Sequence, residues 1–374
     1  MIADKQYHYL IVGSGLFGSV FAREMTDKGY RCLVIDKRPH IGGNVYTENI
    51  EGIEVHKYGA HIFHTNDRQI WNYVNRFAQF NNYRHKVFVN YHGRIYSFPI
   101  NMMTLVQLWG VKTPEQAVEE LEKRKIRSDN AENLEDWILS QVGRDLYEIF
   151  IKGYTTKQWG RDPSALPSSI IKRLFIRTDL NDYYFDDRFQ GIPVGGYTAL
   201  VRNLLEGIEV RLGVDYFNDR FELDGLAEKI VFTGSIDQFF DYKFGGLEYR
   251  SLEFETEVLD IPSFQGTSVM NYTAGDIPYT RILEHKYFSM ANTPNTVITR
   301  EYPVAWQPGR ESYYPICDKL NNDKYDLYKK FAKTTRPEII FGGRLAEYKY
   351  YDMHQVIASA LSKTKLIFQN VQAL

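Results

Sequence analysis

The chain has 374 residues, 44% of them hydrophobic and 25% charged, with a formal net charge of −2. Such a chain can bury two or three subdomain cores, and its near-neutral charge argues against nucleic acid as a partner. Cys32 and Cys317 share no metal-ligand spacing and build no disulfide framework, and the apolar run Tyr9-Leu10-Ile11-Val12 is too short for a signal peptide or a membrane span, so a soluble cytoplasmic protein is expected.

Residues 8–12 read as a strand, 13–18 as a glycine turn, 16–28 as a helix with Phe17, Val20, Phe21 and Met25 apolar, and 32–35 as a second buried strand after the stop at Gly29. This βαβ opening implies a parallel sheet covered by helices. Gly13-Ser14-Gly15-Leu16-Phe17-Gly18 is G-x-G-x-x-G. Gly13 permits the tight turn, Gly15 lets backbone approach a pyrophosphate, and Gly18 lets the helix pack on the sheet. The helix N-terminus offers N–H groups and a positive dipole end. Asp36, at the end of the second strand, is placed to accept from ribose hydroxyls, so a dinucleotide is expected. Lys37-Arg38-Pro39-His40-Ile41-Gly42-Gly43-Asn44 adds a second glycine pair. This resembles the FAD pattern of glutathione-reductase and amine-oxidase flavoproteins more than that of NAD dehydrogenases.

A hairpin is expected around His92-Gly93, with arms at 86–91 and 94–98. Thr113-Pro114-Glu115-Gln116 starts a helix, with Thr as cap and Pro at its first position. Asn133-Leu134-Glu135 starts another, and 145–154 reads as a third. From Tyr249 the pattern turns to strands. Leu252, Phe254, Thr256 and Val258 alternate with Glu253, Glu255 and Glu257, predicting one wet face, and 268–272, 280–288 and 296–302 extend the sheet. Residues 339–341 and 352–362 return to strand and helix, the latter with Met353, Val356, Ile357, Ala360 and Leu361 on one face. Phe341-Gly342-Gly343-Arg344 would close the flavin site, with Arg344 at the pyrophosphate. The expected fold is α/β: a Rossmann-like FAD-binding domain from 1–82, 190–248 and 312–374, a helical substrate insert at 101–170, and an antiparallel sheet domain from 83–100, 171–189 and 249–311.

Four further blocks extend the pattern: Tyr58-Gly59-Ala60-His61-Ile62-Phe63-His64-Thr65, Lys152-Gly153-Tyr154-Thr155-Thr156-Lys157-Gln158-Trp159-Gly160, Gly191-Ile192-Pro193-Val194-Gly195-Gly196-Tyr197, and the stretch from Gly342 to His354. Together they resemble the bacterial UDP-galactopyranose mutases over nearly the whole chain. The resemblance implies FAD that is active when reduced, UDP-galactopyranose and UDP-galactofuranose as substrates, a reductant such as NAD(P)H or a reductase, a homodimer, and a product destined for cell-surface glycans. In that family flavin N5 attacks the anomeric carbon and expels UDP. The adduct opens as an iminium and recloses through the other hydroxyl, with no net redox change.

By motif, the resemblance makes Arg173 the arginine of a mobile loop that closes on the diphosphate, and Arg281 the second essential arginine. Guanidinium forks suit a leaving group whose charge grows as C1–O breaks. Tyr184, Tyr314 and Tyr350 match phosphate donors, but each adjoins another tyrosine (Tyr183, Tyr313, Tyr351) and the motif does not choose between them. Phe150, Tyr154, Thr155 and Trp159 match the uracil and sugar wall, with Ile151 where a second aromatic is usual, and Asn271 matches a uridine or phosphate contact. The flavin contacts implied are Gly13, Ser14, Gly15, Leu16, Phe17, Gly18, Asp36, Lys37, Gly43, Asn44, His61, Ile62, Arg344, Tyr350, Asp352 and Met353, with His61 also counted as catalytic.

Read without the resemblance, these arginines are surface ion pairs, the tyrosines core aromatics in a chain that is 15% aromatic, and His61 a structural histidine. His61 and His64 have a spacing that a metal could use, but no Cys, Asp or Glu completes the set nearby in sequence, so no metal is expected. Leu174-Phe175-Ile176-Arg177-Thr178-Asp179 departs from the family's Pro-Val-Arg-Phe run, after a Pro- and Ser-rich stretch (Pro163, Ser164, Pro167, Ser168, Ser169) suited to a lid hinge. Two rival readings are a flavin oxidoreductase with an apolar channel and a non-catalytic nucleotide-sugar binder; the retained arginines disfavour both.

Overall fold

Apolar runs without polar alternation belong to strands covered on both faces. In the computed structural model, which describes residues 5–127, 133–168, 176–307 and 309–372, both such runs lie inside a parallel sheet. The chain begins β1 (Tyr7–Val12), α1 (Leu16–Thr26), β2 (Cys32–Asp36), then a hairpin of β3 (Thr47–Ile50) and β4 (Ile53–His56), then β5 (Phe63–Thr65) and α2 (Arg68–Val74). A second hairpin, β6 (Val87–Tyr91) and β7 (Arg94–Phe98), turns at His92 and Gly93, both with positive φ. The helical insert holds α3 (Met102–Trp109), α4 (Pro114–Arg124), α5 (Leu134–Leu146), a π-helical turn at Tyr147–Lys152, and α6 (Gly153–Trp159). There follow β8 (Phe189–Gly191), α7 (Gly196–Leu204), β9 (Glu209–Leu212), α8 (Arg220–Leu226), β10 (Ala227–Phe232) and α9 (Ile236–Phe239). The last third holds β11 (Tyr249–Leu259), β12 (Val269–Tyr272), β13 (Arg281–Glu284), α10 (Lys286–Ser289), β14 (Thr296–Ala305), β15 (Tyr314–Pro315), α11 (Lys319–Thr335), β16 (Ile339–Phe341) and α12 (Met353–Gln372).

One sheet has the order β16-β10-β1-β2-β9 and is parallel throughout. It draws strands from both ends and the middle of the chain. Its α1 side is the main core, where Val20, Phe21, Met25, Ile357 and Ala360 are at most 1% exposed. The other large sheet runs β15-β11-β14-β13-β12-β6-β7. It is mixed where antiparallel was expected, because β12 lies parallel to β6. That pairing brings a strand from before the helical insert beside one from after it. β15 joins this sheet too, past the expected boundary at 311.

The insert is not an independent lobe. Leu105, Leu121, Ile138, Leu146 and Phe150 share a core with Val89 and Tyr96 of the β6–β7 hairpin, so the hairpin fixes the insert on the mixed sheet. Its helices start where their caps predict. Thr113 and Asn133 each accept a backbone N–H with the side chain.

Three element expectations change. The helix read at 145–154 is the end of α5, the π turn and the start of α6, with α5 interrupted at Gly143 (φ 78). The alternation in β11 fails in its outer half, where Thr256 and Val258 are exposed along with Glu255 and Glu257. The strand read to 288 stops at Glu284, where the chain turns into α10 and the Lys286 ammonium bonds the carbonyls of Pro262, Thr293 and Asn295. Among the described residues no helix is long and apolar enough to cross a membrane.

Candidate active site

A cavity of about 1080 Å³ runs from the glycine turn of the parallel sheet to the face of α6 and the mixed sheet. At the first end the backbone itself is the wall. A Cβ on Gly18 would fall 2.0 Å from the Gly13 carbonyl oxygen, so only glycine lets α1 start this close to the turn. A Cβ on Gly15 would meet nothing within 4 Å and would project into open space, as a pyrophosphate cradle needs. The second glycine pair packs on the first, since a Cβ on Gly43 would lie 3.1 Å from the Gly15 Cα.

Asp36 is buried at the end of β2, and its carboxylate accepts from the Ser14 N–H and hydroxyl at 2.8 and 2.6 Å and from the Arg38 N–H at 3.0 Å. Ser14 is therefore a holder of Asp36 and does not line the cavity. Beyond it the Arg38 guanidinium donates to Asn44 and Glu311, each at 2.9 Å, and lies 4.3 Å from the Tyr58 ring centre. Its Nη1 is buried with no hydrogen-bond partner. Glycine backbone, an acid at a strand end and an unpaired buried N–H donor make a donor set that fits a dinucleotide such as FAD.

The other end is made by sheet register. In the mixed sheet Arg281 of β13 sits directly opposite Asn271 of β12 on one side and Glu301 of β14 on the other. Directly paired residues project from the same face of a sheet, so the row Asn271-Arg281-Glu301 points together into the cavity. Glu301 is 1% exposed, and its Oε1 lies 3.3 Å from Arg281 Nε. Burial works against the Arg281 charge, but the Glu301 carboxylate and the Tyr154, Tyr314 and Tyr184 hydroxyls together outweigh it and raise the guanidinium pKa. Burial also raises the pKa of Glu301, and Arg281 counters that shift. Arg281 reaches across to donate to the Tyr154 hydroxyl on α6. Burial pushes that phenol up to about 12, with Arg281 pulling the other way, so it stays protonated.

Tyr314 and Tyr350 stack with ring centres 5.4 Å apart, and the Arg344 guanidinium lies 5.8 Å from the Tyr314 ring centre. The backbone at Gly343 passes the glycine turn, within 3.3 Å of the Phe17 Cβ for an added Cβ. Arg344 thus leaves the cofactor turn and aims its side chain at the tyrosines. The Oδ1 of Asn271, the Nε of Arg281 and the Oε1 of Glu301 are all buried without a hydrogen-bond partner, a set of polar atoms that an anionic ligand and its hydroxyls would satisfy.

Histidines line the wall between the two ends. His61 donates its Nδ1–H to the Gly59 carbonyl at 2.8 Å, and its own backbone N–H goes to His56 Nδ1. Burial, with help from the Arg344 charge, lowers its pKa to about 4, so the ring is neutral at physiological pH. His64 donates to the Asp187 carboxylate. Among the described residues one group of potential metal ligands lies beside His64, and it leaves out His61. His64, Asp352 and His354 each bring one ligand atom, all within 4.8 Å of one another. Asp352 and His354 come from the start of α12, far along the chain.

Arg173 lies outside the described residues. Of the other expected residues, all except Ser14 line this one cavity: Gly13, Gly15, Leu16, Phe17, Gly18, Asp36, Lys37, Gly43, Asn44, His61, Ile62, Asp352 and Met353, together with Phe150, Tyr154, Thr155, Trp159, Tyr184, Asn271, Arg281, Tyr314, Arg344 and Tyr350. Tyr183 lies outside it, facing Arg84 and Lys86, which separates that pair, whereas Tyr313 and Tyr351 line the cavity beside their partners. Arg38, Glu301 and His85 escaped the sequence reading as site residues. Glu301 stands in no motif, and its signal is the strand register opposite Arg281. His85, 6% exposed, lies edge-on to Tyr184 with ring centres 5.3 Å apart, and burial followed by Arg281 and His64 drops its pKa to about 3. Nothing in its flanking sequence announces it.

A family model for UDP-galactopyranose mutase matches residues 149–350, and one for NAD(P)-binding Rossmann-like domains matches 11–77. The chain is 39% identical to a dTDP-fucopyranose mutase of Escherichia coli, over 96% of this chain and 98% of that one. It is also 39% identical to a probable UDP-galactopyranose mutase of Klebsiella pneumoniae, over 94% and 92%. A crystal structure of a reduced UDP-galactopyranose mutase shares the fold at a TM-score of 0.74 and 14% identity, covering 97% of this chain and 94% of that one. A cofactor cradle joined to an arginine- and tyrosine-lined pocket is thus set in a chain that belongs to the UDP-galactopyranose mutase family, a family of isomerases.

Proposed function

We propose that the protein interconverts UDP-galactopyranose and UDP-galactofuranose with reduced FAD and no net redox change. The observation that carries this reading is the continuity of one cavity from the glycine cradle to the Arg281 cluster, which suits a flavin held against a nucleotide sugar. When bound and reduced, FAD supplies an electron-rich ring nitrogen as the nucleophile. Gly13, Gly15, Asp36 and Arg38 would hold its dinucleotide portion, and Asp352 and Met353 its ring.

The chain's own residues then do three things. Arg281, paired with Glu301, neutralises the diphosphate as its bond to the sugar lengthens, with the hydroxyls of Tyr154, Tyr184, Tyr314 and Tyr350 as donors beside it. Phe150, Thr155 and Trp159 wall the base and sugar and keep water from the anomeric centre. His61 stays neutral and adds no positive charge next to the nucleophile. A lid role for Arg173, a homodimer, an NAD(P)H-type reductant and a cytoplasmic setting complete the reading.

A second substrate has specific support, since the Escherichia coli relative named for dTDP-fucopyranose is as similar as the Klebsiella one. Purified protein, reduced with dithionite, should be offered UDP-galactofuranose and dTDP-fucofuranose separately and the products resolved by chromatography. Conversion of the first only when reduced supports the proposal. Conversion of the second alone replaces its substrate. A yellow protein inert toward both returns the oxidoreductase reading, and a colourless protein that refuses FAD ends it.

A further inference from the structure

α6 presents Tyr154, Thr155 and Trp159 to the cavity, while Asn271 and Arg281 stand at the two ends of the segment that joins β12 to β13. The walls of the substrate pocket therefore come from two pieces of chain that share no backbone. Two contacts on one face of α6 join them. At Gly153 an added Cβ would lie 2.1 Å from the Thr273 carbonyl oxygen, so only glycine lets the helix come this close. One turn further on, at i+4 and on the same face, the Lys157 ammonium donates to the carbonyls of Tyr272, Ala274, Ile277 and Tyr279 at 2.7, 2.9, 2.9 and 3.0 Å. Those carbonyls span nearly the whole segment between Asn271 and Arg281. From the far side Arg250 donates to the Gln158 carbonyl at 2.9 Å and supports the end of the helix.

Converging carbonyl oxygens are the coordination that proteins offer to a monovalent cation. An ammonium has N–H groups to match most of them, and a free amine has fewer. Burial lowers the Lys157 pKa to about 8, with Asp276 pulling it back up, so the group is mainly charged at neutral pH. Lys157 does not line the cavity and has no route to substrate except through what it holds.

We propose that Lys157 is a positioning residue of the nucleotide-sugar pocket: its caged ammonium clamps the segment between Tyr272 and Arg281 onto α6 and so sets Arg281 and Asn271 against Tyr154, Thr155 and Trp159. This rests on the mutase reading. It assigns the Lys157 and Gly153 of the Gly-Tyr-Thr-Thr-Lys block a task separate from that of the residues between them.

The test uses the FAD-loaded full chain, with turnover of UDP-galactofuranose after dithionite reduction and UDP affinity by calorimetry. Wild-type protein that neither binds UDP nor turns over would overturn both readings together. With active wild type, Lys157→Ala is expected to keep its flavin spectrum, weaken UDP binding, and lose about 100-fold in kcat/KM, the scale of a displaced catalytic group. Added methylammonium or ethylammonium should restore much of that loss by entering the empty cage. Lys157→Met, whose apolar chain occupies the space, should lose as much and not respond to the amines. A kcat/KM for Lys157→Ala within about twofold of wild type, which is too small for a displaced group, would overturn the proposal. So would a loss that no amine restores. Should Lys157→Ala fail to fold, Gly153→Ala tests the same docking: weakened UDP binding with FAD retained supports it, and unchanged UDP binding overturns it.

Discussion

At one end of the cavity a single stretch, from Gly13 to Asp36, supplies the turn, the helix terminus and the acid. At the other, Tyr154, Asn271, Arg281, Glu301 and Tyr314 arrive separately on α6, β12, β13, β14 and β15. The first end works through backbone shape, so what matters there is the absence of side chains. The second works through side-chain charge held in sheet register, so what matters is which residue stands opposite which. One cavity thus has two modes of failure, and mutations should separate them.

The largest effect is expected at the register end. Arg281→Ala removes the guanidinium aimed at the developing diphosphate charge and leaves the buried Glu301 carboxylate without its partner. Removing one such donor typically costs about 10²–10³-fold in turnover. The loss should appear in steady-state kinetics of the reduced enzyme with FAD content unchanged. A variant that lost flavin instead would mean that the two ends are not separable. Next comes the backbone end. Gly18→Val would force a side chain to within 2.0 Å of the Gly13 carbonyl oxygen, and the expected product is apoprotein with little flavin absorbance per chain. Retention of normal FAD would break the account of the turn.

Glu301→Gln probes whether the register row acts as a unit. The amide keeps a carbonyl oxygen near Arg281 but loses the charge. Charge-assisted pairs are roughly twice as strong as neutral ones, so kcat/KM should fall about tenfold, or about 1.4 kcal/mol, without loss of flavin. An unchanged value would reduce Glu301 to filler between strands.

These two ends also differ in how far they could be read from residues alone. The glycine turn, β1, α1 and β2 were legible because every determinant is local: an unalternating apolar run, a fixed glycine spacing, an acid at the strand end. Ser14 stands outside the cavity because its hydroxyl turns inward to Asp36, a choice of side-chain direction that spacing does not encode. Arg281 and the tyrosines were placed through the family resemblance and not through any local pattern. Glu301 and His85 belong to no block, and they enter the site through strand pairing and the packing of Phe185 and Tyr184 around the imidazole. The parallel β6–β12 pairing was invisible for the same reason, since its strands flank the whole insert.

The histidines between the ends give a smaller, pH-dependent effect on stability. Burial holds His61 near 4 and His85 near 3, below the ordinary value of 6.5. Between those values and 6.5 the unfolded chain binds more protons than the folded one, so stability rises with pH there. It is fully present above about 6.5 and is lost as pH falls toward 4 and 3. Thermal unfolding followed from pH 8 to pH 4 should show a falling midpoint only below about 6.5. His61→Gln and His85→Gln should each flatten the curve if they still fold. A midpoint that is flat to pH 4 would contradict neutral burial of these rings.

The smallest expected difference tests the register end at its finest grain, between adjacent tyrosines. Tyr184 lines the cavity, with its backbone N–H on the His85 carbonyl at 2.8 Å. Tyr183 points the other way, with the Arg84 and Lys86 charges 5.3 and 5.1 Å from its ring centre. Consecutive residues in extended chain project to opposite sides, so only one of the pair can serve the pocket. Tyr184→Phe deletes one hydroxyl donor from a partly exposed side chain, worth about 0.5–1 kcal/mol, and should weaken UDP binding by about twofold to fivefold. Tyr183→Phe keeps the ring that Arg84 and Lys86 rest on and should bind UDP as wild type does. A loss in Tyr183→Phe with Tyr184→Phe unaffected would mean that the extended segment leading to Asp186 runs one residue out of register, and that Tyr183 faces the diphosphate.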